Sequence, residues 1–238
     1  MREITLLELL KSGAHFGHTT SRWNPKMKPY IFTVRNDIHI LDLEQTKKAL
    51  IKATKFAQDV AGKGGTILFV GTKRQSKATL QAAAKACNMP YVNVRWLGGT
   101  FTNFRTIQKT IRKLENLKAS GELQSHYTKK ERLLIEREIE KLKKLFEGIS
   151  GMKKLPDAIF VTDVKHDMIA VTEAQKSKIK IIGIVDTNSN PDGLDYPIPC
   201  NDDATKAVEL VCQLMAEAIT EARQTVPMVK EADKAETK

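Results

Sequence analysis

Two histidines three residues apart, His15 and His18, fall within the stretch GAHFGHTTSRWNPKMKPYIF, Gly13 to Phe32. On a helix they would share a face and supply two ligands to a metal such as zinc. No cysteine or carboxylate stands close by in the chain to complete the set. Packing with one ring nitrogen hydrogen-bonded is the commoner use of such a histidine. A second group is acidic. Asp163, Asp186, Asp202 and Asp203 follow apolar runs, and with an amide oxygen from Asn24 or Asn188 they form the hard oxygen set that Mg²⁺ takes. The same aspartates suit helix caps and turns, again the more frequent use. The expectation is that no cofactor is required, with a structural divalent cation on Asn24, Asp186 and Asp202 as the minority reading.

Catalytic patterns are missing. The chain has no Gly-x-Gly-x-x-Gly, and in AGKGGT, Ala61 to Thr66, Gly64 occupies the position where a phosphate loop needs Ser or Thr. There is no Gly-x-Ser-x-Gly elbow. The three cysteines, Cys87, Cys200 and Cys212, have no paired spacing, which gives neither a zinc ribbon nor a disulfide framework. No catalytic residue, small-molecule substrate or enzyme class follows.

A polyanionic partner is better supported. The net charge is +11 over 238 residues, and clustered cations gain affinity for phosphate backbones by releasing counterions. Three loops concentrate them. The first interleaves Arg22, Trp23, Lys26, Lys28 and Tyr30 between prolines; the second, GTKRQSK, carries Lys73, Arg74 and Lys77; the third, RWLGGTFTNFR, carries Arg95, Trp96, Thr102, Asn103 and Arg105. Gly98 and Gly99 would let the backbone approach a phosphate, and Thr and Asn would hydrogen-bond phosphate or a 2′-hydroxyl. Trp23 and Trp96 are suited to stacking on bases or, as is commoner, to packing beneath the loops.

The elements that must position these loops follow from periodicity. Ile4, Leu6, Leu7, Leu9 and Leu10 predict a short helix ending at Gly13. YIFTV and IHILDL predict two strands about the polar turn RND, and EQTKKALIKATKFAQDV predicts a helix. Beyond Gly65, the runs TILFVG, YVNVRWLGG, PDAIFVTD and IKIIGIVDTN read as strands buried on both faces, with helices between them and a last helix from Asp202 onward. Alternation of this kind predicts a doubly wound, mostly parallel α/β sheet. From Asn103 to about Glu147 it breaks into two helical patterns joined by KASGELQSHYT, which fits an inserted antiparallel helical hairpin, a coiled coil with cations such as Lys113, Lys129, Lys130 and Arg132 outward. An extra pair of helices covering the sheet is the alternative. The expected division is a globular domain from 1–102 and 149–225, the hairpin at 103–148, and a disordered tail at 226–238, which has few apolar residues. Glu3 and Glu8 interrupt the opening segment, and no apolar run reaches membrane-spanning length, so a cytosolic protein with no membrane partner is expected.

The blocks LLELLKSGAHFGHTTSRWNPKMKPYIF, HILDLEQT, FVGTKRQ, VRWLGGTFTNF and PDAIFVTDVKHDMIAVTEAQK…IVDTNSNPDGLDYPIPCNDDA together resemble, in order and spacing, the bacterial family of the second protein of the small ribosomal subunit. The resemblance covers all but the tail. It implies a flavodoxin-like α/β domain without enzymatic activity, bearing a coiled-coil hairpin after GGTFTNF. It further implies a cytoplasmic role in the small subunit: binding its rRNA near the head–body junction, late in assembly, contacting neighbouring ribosomal proteins, and supporting initiation by docking the large mRNA-binding protein. One position departs from the pattern: Lys180 stands where the family often has proline before the strand.

Overall fold

Apolar runs that do not alternate cannot leave one face to water. The computed structural model of the chain describes residues 2, 4–119 and 129–235 and buries those runs at its centre. The N-terminal region builds α1 (Leu6–Ser12), β1 (Phe16–Thr19), β2 (Ile31–Arg35), β3 (Ile38–Leu41) and α2 (Leu43–Gly62). Thr5 and Glu8 cap α1 reciprocally, and Asp42 caps α2 through the Glu44 amide at 2.9 Å. β2 and β3 form a hairpin turned by Asn36 and Asp37, with φ of 50° and 60°, the left-handed pair such a tight turn needs. With β1 they make a small antiparallel sheet in the order β1-β3-β2.

The second sheet is wholly parallel. After β4 (Ile67–Val70) and α3 (Lys77–Ala86) come β5 (Tyr91–Val92), α4 (Phe104–Ala119), α5 (Lys129–Phe146), β6 (Ala158–Val161), α6 (Met168–Lys176), β7 (Lys180–Val185), β8 (Tyr196–Pro199) and α7 (Thr205–Ala235). The spatial order is β5-β4-β6-β7-β8. Strand side chains alternate between faces, and two cores result. Ile67, Phe69, Phe160 and Ile184 meet α1, α2, α3 and α7; Leu68, Val70, Ile159 and Val185 meet α6, the base of α4 and α5, Trp96, and Met27 below the small sheet. The expected α/β class with a mostly parallel sheet is the one observed.

Several elements differ from the sequence pattern. In α1 only Leu9 is buried, together with Ile4 just before it, while Leu6, Leu7 and Leu10 are exposed, because a helix of 7 residues resting on α2 and α7 turns one position inward. YVNVRWLGG is a strand only at Tyr91 and Val92; beyond them the chain leaves to form the loop over α6. β8 carries no strand signal in the sequence, because Pro197 and Pro199 remove ladder donors, which an edge strand tolerates. No helix separates it from β7. α7 continues to Ala235, through much of the segment 226–238 whose composition reads as a tail. The expected hairpin turn in 120–128 lies outside the described residues, as do the side chains of Lys113, Lys129, Lys130 and Arg132. Among the described residues no helix is long and apolar enough to cross a membrane.

Candidate nucleic-acid interface

Parallel strands bring all their carboxyl ends to one edge. Here Lys73 follows β4, Asp163 follows β6, Asp186 follows β7, and Asp202 and Asp203 follow β8. Lys73 Nζ lies 3.0 Å from Asp163 Oδ2, 2.7 Å from Asp202 Oδ1 and 2.7 Å from Asp203 Oδ1. His18, on β1, reaches the same cluster. Its Nε2 is 3.3 Å from Asp203 Oδ2 and 2.9 Å from Asn188 Nδ2, and its Nδ1 is 3.1 Å from Asp186 Oδ2. The Nδ1 contact is a charge contact and not an aligned hydrogen bond.

Four carboxylates against one lysine and one histidine leave an excess of negative charge in a poorly solvated site, so the cluster retains protons. Burial, then repulsion from Asp163 and Asp186, pushes the Asp202 carboxyl up to about 7, against the pull of Lys73. Asp186 is the chief cause of the raised pKa of His18, and burial opposes it. Burial acts against the charge of Lys73, but its carboxylate contacts win and hold the ammonium well above its usual range. Lys73 therefore faces inward with its side chain 16% exposed. The sequence expectation that offers Lys73 to a phosphate is replaced by an ion-pair hub, since three carboxylates already surround the ammonium.

The N-terminal loop is fastened to the same edge. Thr187 Oγ1 accepts from the His18 amide at 2.8 Å, and the Thr187 carbonyl accepts from the Asn24 amide at 2.7 Å. A Cβ at Gly17 would collide with the Thr187 side chain, so this approach requires glycine. Asn24 Oδ1 is used as a cap for the Lys26 amide at 3.0 Å. The expected cation set of Asn24, Asp186 and Asp202 is thus not assembled through that oxygen. Instead His18, Asp186 and Asp202 place ligand atoms within 4.8 Å of one another. Trp23 is half-buried with its ring 5.1 Å from that of His39. His15 packs against Phe16 with ring centroids 4.0 Å apart, and burial lowers its pKa. Lys26 pairs with Asp192. Arg22 and Lys28 point outward.

The third loop depends on a residue that sequence patterns do not single out. Glu173 on α6 is 7% exposed. Its Oε1 accepts from the Gly99 amide at 2.7 Å and from Trp96 Nε1 at 3.3 Å; its Oε2 accepts from the Phe101 amide at 2.9 Å and from the Thr102 amide at 3.3 Å. Burial pushes the carboxyl up, but these amides outweigh it and hold the pKa below its ordinary value. Trp96 is buried, edge-to-face with Phe101 at 4.9 Å, so packing is its role and base stacking is not. The amides of Gly99 and Thr102 serve the protein's own carboxylate. The available signal was Glu173 itself, one position before Ala174 and two after Val171 on the buried side of α6.

The two loops and their neighbour leave Arg22, Lys28, Arg74, Arg95 and Arg105 exposed, and none of the five forms an ion pair among the described residues. Thr102 and Asn103 are exposed beside Arg105, and Lys77 is half-buried at the start of α3.

A family model described as Ribosomal protein S2 matches residues 9–222. The chain is also 50% identical over 224 residues to a protein of a Nitratiruptor species named Small ribosomal subunit protein uS2, a match covering 93% of this chain and 84% of that one.

Two outcomes are expected from the buried charges. Lys73→Met leaves Asp163 and Asp202 without a counter-ion and lowers stability by about 3–5 kcal/mol in urea unfolding at pH 8. The loss shrinks toward pH 5. Asp202 has a folded pKa of about 7, above its unfolded 3.8, so the folded state takes up a proton there that relieves the repulsion. A loss independent of pH would contradict proton uptake at Asp202. Glu173→Gln removes the charge that the three amides, the indole N–H and the Thr102 hydroxyl address, and costs about 2–3 kcal/mol at pH 7. Because the folded pKa of Glu173 is depressed, that advantage is present above its ordinary 4.5 and disappears as pH falls through the folded value. The wild-type and variant urea midpoints therefore converge in acid.

Proposed function

The chain belongs to the ribosomal protein S2 family, and from that premise we propose that it is a structural constituent of the small ribosomal subunit that binds the subunit's rRNA. Members of this family are structural proteins, so the chain is not an enzyme. The observation that carries the RNA reading is the set of exposed, unpaired cations on loops held from within: Arg22 and Lys28 on the loop fastened to Thr187, Arg95 and Arg105 beside the loop gathered by Glu173, and Arg74 on the β4–α3 loop, where Asp167 accepts from the Thr72 amide and hydroxyl. Preformed loops bind with little ordering cost. Lys77, Thr102 and Asn103 add contacts at the edge of this set, and Lys26 joins by exchanging Asp192 for phosphate. Trp23 keeps a partly open ring beside Arg22.

The architecture supports a flavodoxin-like reading. Within the parallel sheet the first strand in sequence lies second in space, giving the order 2-1-3-4-5. We take α4 and α5 as an antiparallel coiled-coil hairpin at 103–148 between the halves 1–102 and 149–225 of one globular domain. The packing of Ile107, Ile111, Ile139 and Leu142 against the second core supports this division. The family resemblance adds a cytoplasmic location at the head–body junction and docking of the large mRNA-binding protein. Exposed Phe16, Phe32 and Val34 on the small sheet are apolar surface of the kind a protein partner covers.

A structural divalent cation on His18, Asp186 and Asp202 belongs to the same reading. One nitrogen and two carboxylate oxygens suit a borderline metal better than Mg²⁺. Binding would have to displace protons from His18 and Asp202, so affinity should rise with pH. Elemental analysis after dialysis at pH 6 and pH 8 checks this: metal retained only at the higher pH is expected, and none at either value sinks the cation.

For the RNA reading, Arg22→Glu with Lys28→Glu should weaken binding to protein-depleted small subunits at least tenfold and lower the log–log salt slope by about 2, roughly one unit for each phosphate no longer neutralised. Binding to a duplex RNA of equal charge serves as reference. Unchanged affinity and slope would move the interface away from this loop.

A further inference from the structure

The loops bearing Arg22, Lys28, Arg95 and Arg105 lie on one side of the sheet, and the helices on the other side enclose a groove of contrary charge, with Arg74 and Lys77 at the N-terminal end of one of them. It runs between α3 and α7, with a volume of ≈ 700 Å³. Its floor is small: Ala82, Ala83 and Ala86 from α3 and Ala216 from α7. Its wall on α7 carries Glu209, Gln213, Glu217 and Glu221 at four-residue spacing, all exposed; Gln213 donates to Glu209 at 3.3 Å, and Gln58 of α2 donates to Glu221 at 3.3 Å. Among the described residues no lysine or arginine lines it, in a chain of net charge +11. Lys206 on α7 and Lys77 on α3 stand at one end of the groove and do not line it, and two cations at its other end have partners of their own. Arg223 donates to the carbonyls of Cys87 and Asn88 at the end of α3, and Lys85 reaches toward Glu147 and the ring of Tyr91.

We propose that this groove is a protein-docking site for a helical segment of a partner carrying Lys or Arg at four-residue spacing. The row from Glu209 to Glu221 extends about 18 Å at 1.5 Å per residue, enough to match some three turns of a docked helix. A floor of alanines lets the partner's backbone approach closely, as a third ridge laid into the groove between two helices. The carboxylates select the sign of the partner's charge and repel the phosphate backbone that the opposite side attracts. Helices α3 and α7 pack on the core containing Phe69 and Phe160, whereas Trp96, Phe101 and Met27 beneath the cationic loops belong to the core on the other side of the sheet. RNA and this partner can therefore be held at once.

The proposal rests on the chain's place in the small subunit. Its test replaces Gln213 with the photo-reactive residue p-benzoylphenylalanine in the full-length protein reconstituted into small subunits. A second sample carries the probe at exposed Ser21, beside Arg22, where the functional reading requires cross-links to rRNA. Supporting results are a cross-link from position 213 to a Lys/Arg-rich helical segment of a protein, and a yield at least tenfold lower in Glu209→Lys with Glu217→Lys. Both substituted residues are exposed, and an unchanged melting temperature shows that the fold is intact. A position-213 cross-link to rRNA, no cross-link, or one indifferent to the charge reversal overturns the groove proposal, even when Ser21 labels rRNA and the functional reading survives. Failure at Ser21 alone counts against the RNA interface, while the cross-link from position 213 still decides the groove.

Discussion

Lys73 and the carboxylates around it are the interaction on which the arrangement of this protein turns. Four parallel strands end together, and each delivers acidic or polar residues to one edge. In many doubly wound folds that edge receives a ligand whose charge is balanced on binding. In this chain much of the counter-charge comes from within, through the Lys73 ammonium and the His18 imidazole, and the remaining excess of negative charge is met by retained protons. Ion pairs in such a setting add little net stability relative to an apolar core, yet they tolerate no missing partner. Their effect is to fix geometry: β4, β6 and β8 are tied through Lys73, and the N-terminal loop is tied to β7 through His18 and Thr187.

Glu173 has a corresponding role in the neighbouring layer. The loop between β5 and α4 contains two glycines and would be costly to order by itself. A buried carboxylate that gathers three backbone amides and an indole N–H gives the loop one shape without a strand or helix. The cations beside it, Arg95 and Arg105, then leave a defined backbone. Rigid loops with exposed, unpaired cations account for a binding protein better than charge alone, since net charge confers attraction but no register.

The sheet also separates two kinds of surface. One side carries the small sheet, the loops and the base of α4 and α5; the other is made by α1, α2, α3 and α7. The first displays Arg22, Lys28, Arg95 and Arg105, and the second includes a groove lined by glutamates, with Arg74 at the rim where α3 begins. A net charge of +11 conceals this division, because the sum is indifferent to where the charges lie.

Much was legible in the sequence. Non-alternating runs such as ILFV and AIFV can only be buried on both faces, and that physical necessity determined the parallel sheet and the α/β class. Missing phosphate-loop and nucleophile patterns, with the blocks that resemble one ribosomal family, determined the functional class. Arg22, Lys28, Arg95 and Arg105 were expected on loops because prolines, glycines and aromatics interrupt the periodic pattern around them, and they are exposed; Lys26 and Lys73, expected on the same loops, find distant aspartates instead. Only the tertiary structure decided that Lys73 faces three aspartates 90 to 130 positions away, that Trp96 answers to Glu173, and that Asn24 caps its own loop while His18 joins the acidic edge. Local pattern reports which residues are apolar and where helices begin; the partner of a buried charge is chosen by which strand ends meet, and that is a property of the folded sheet.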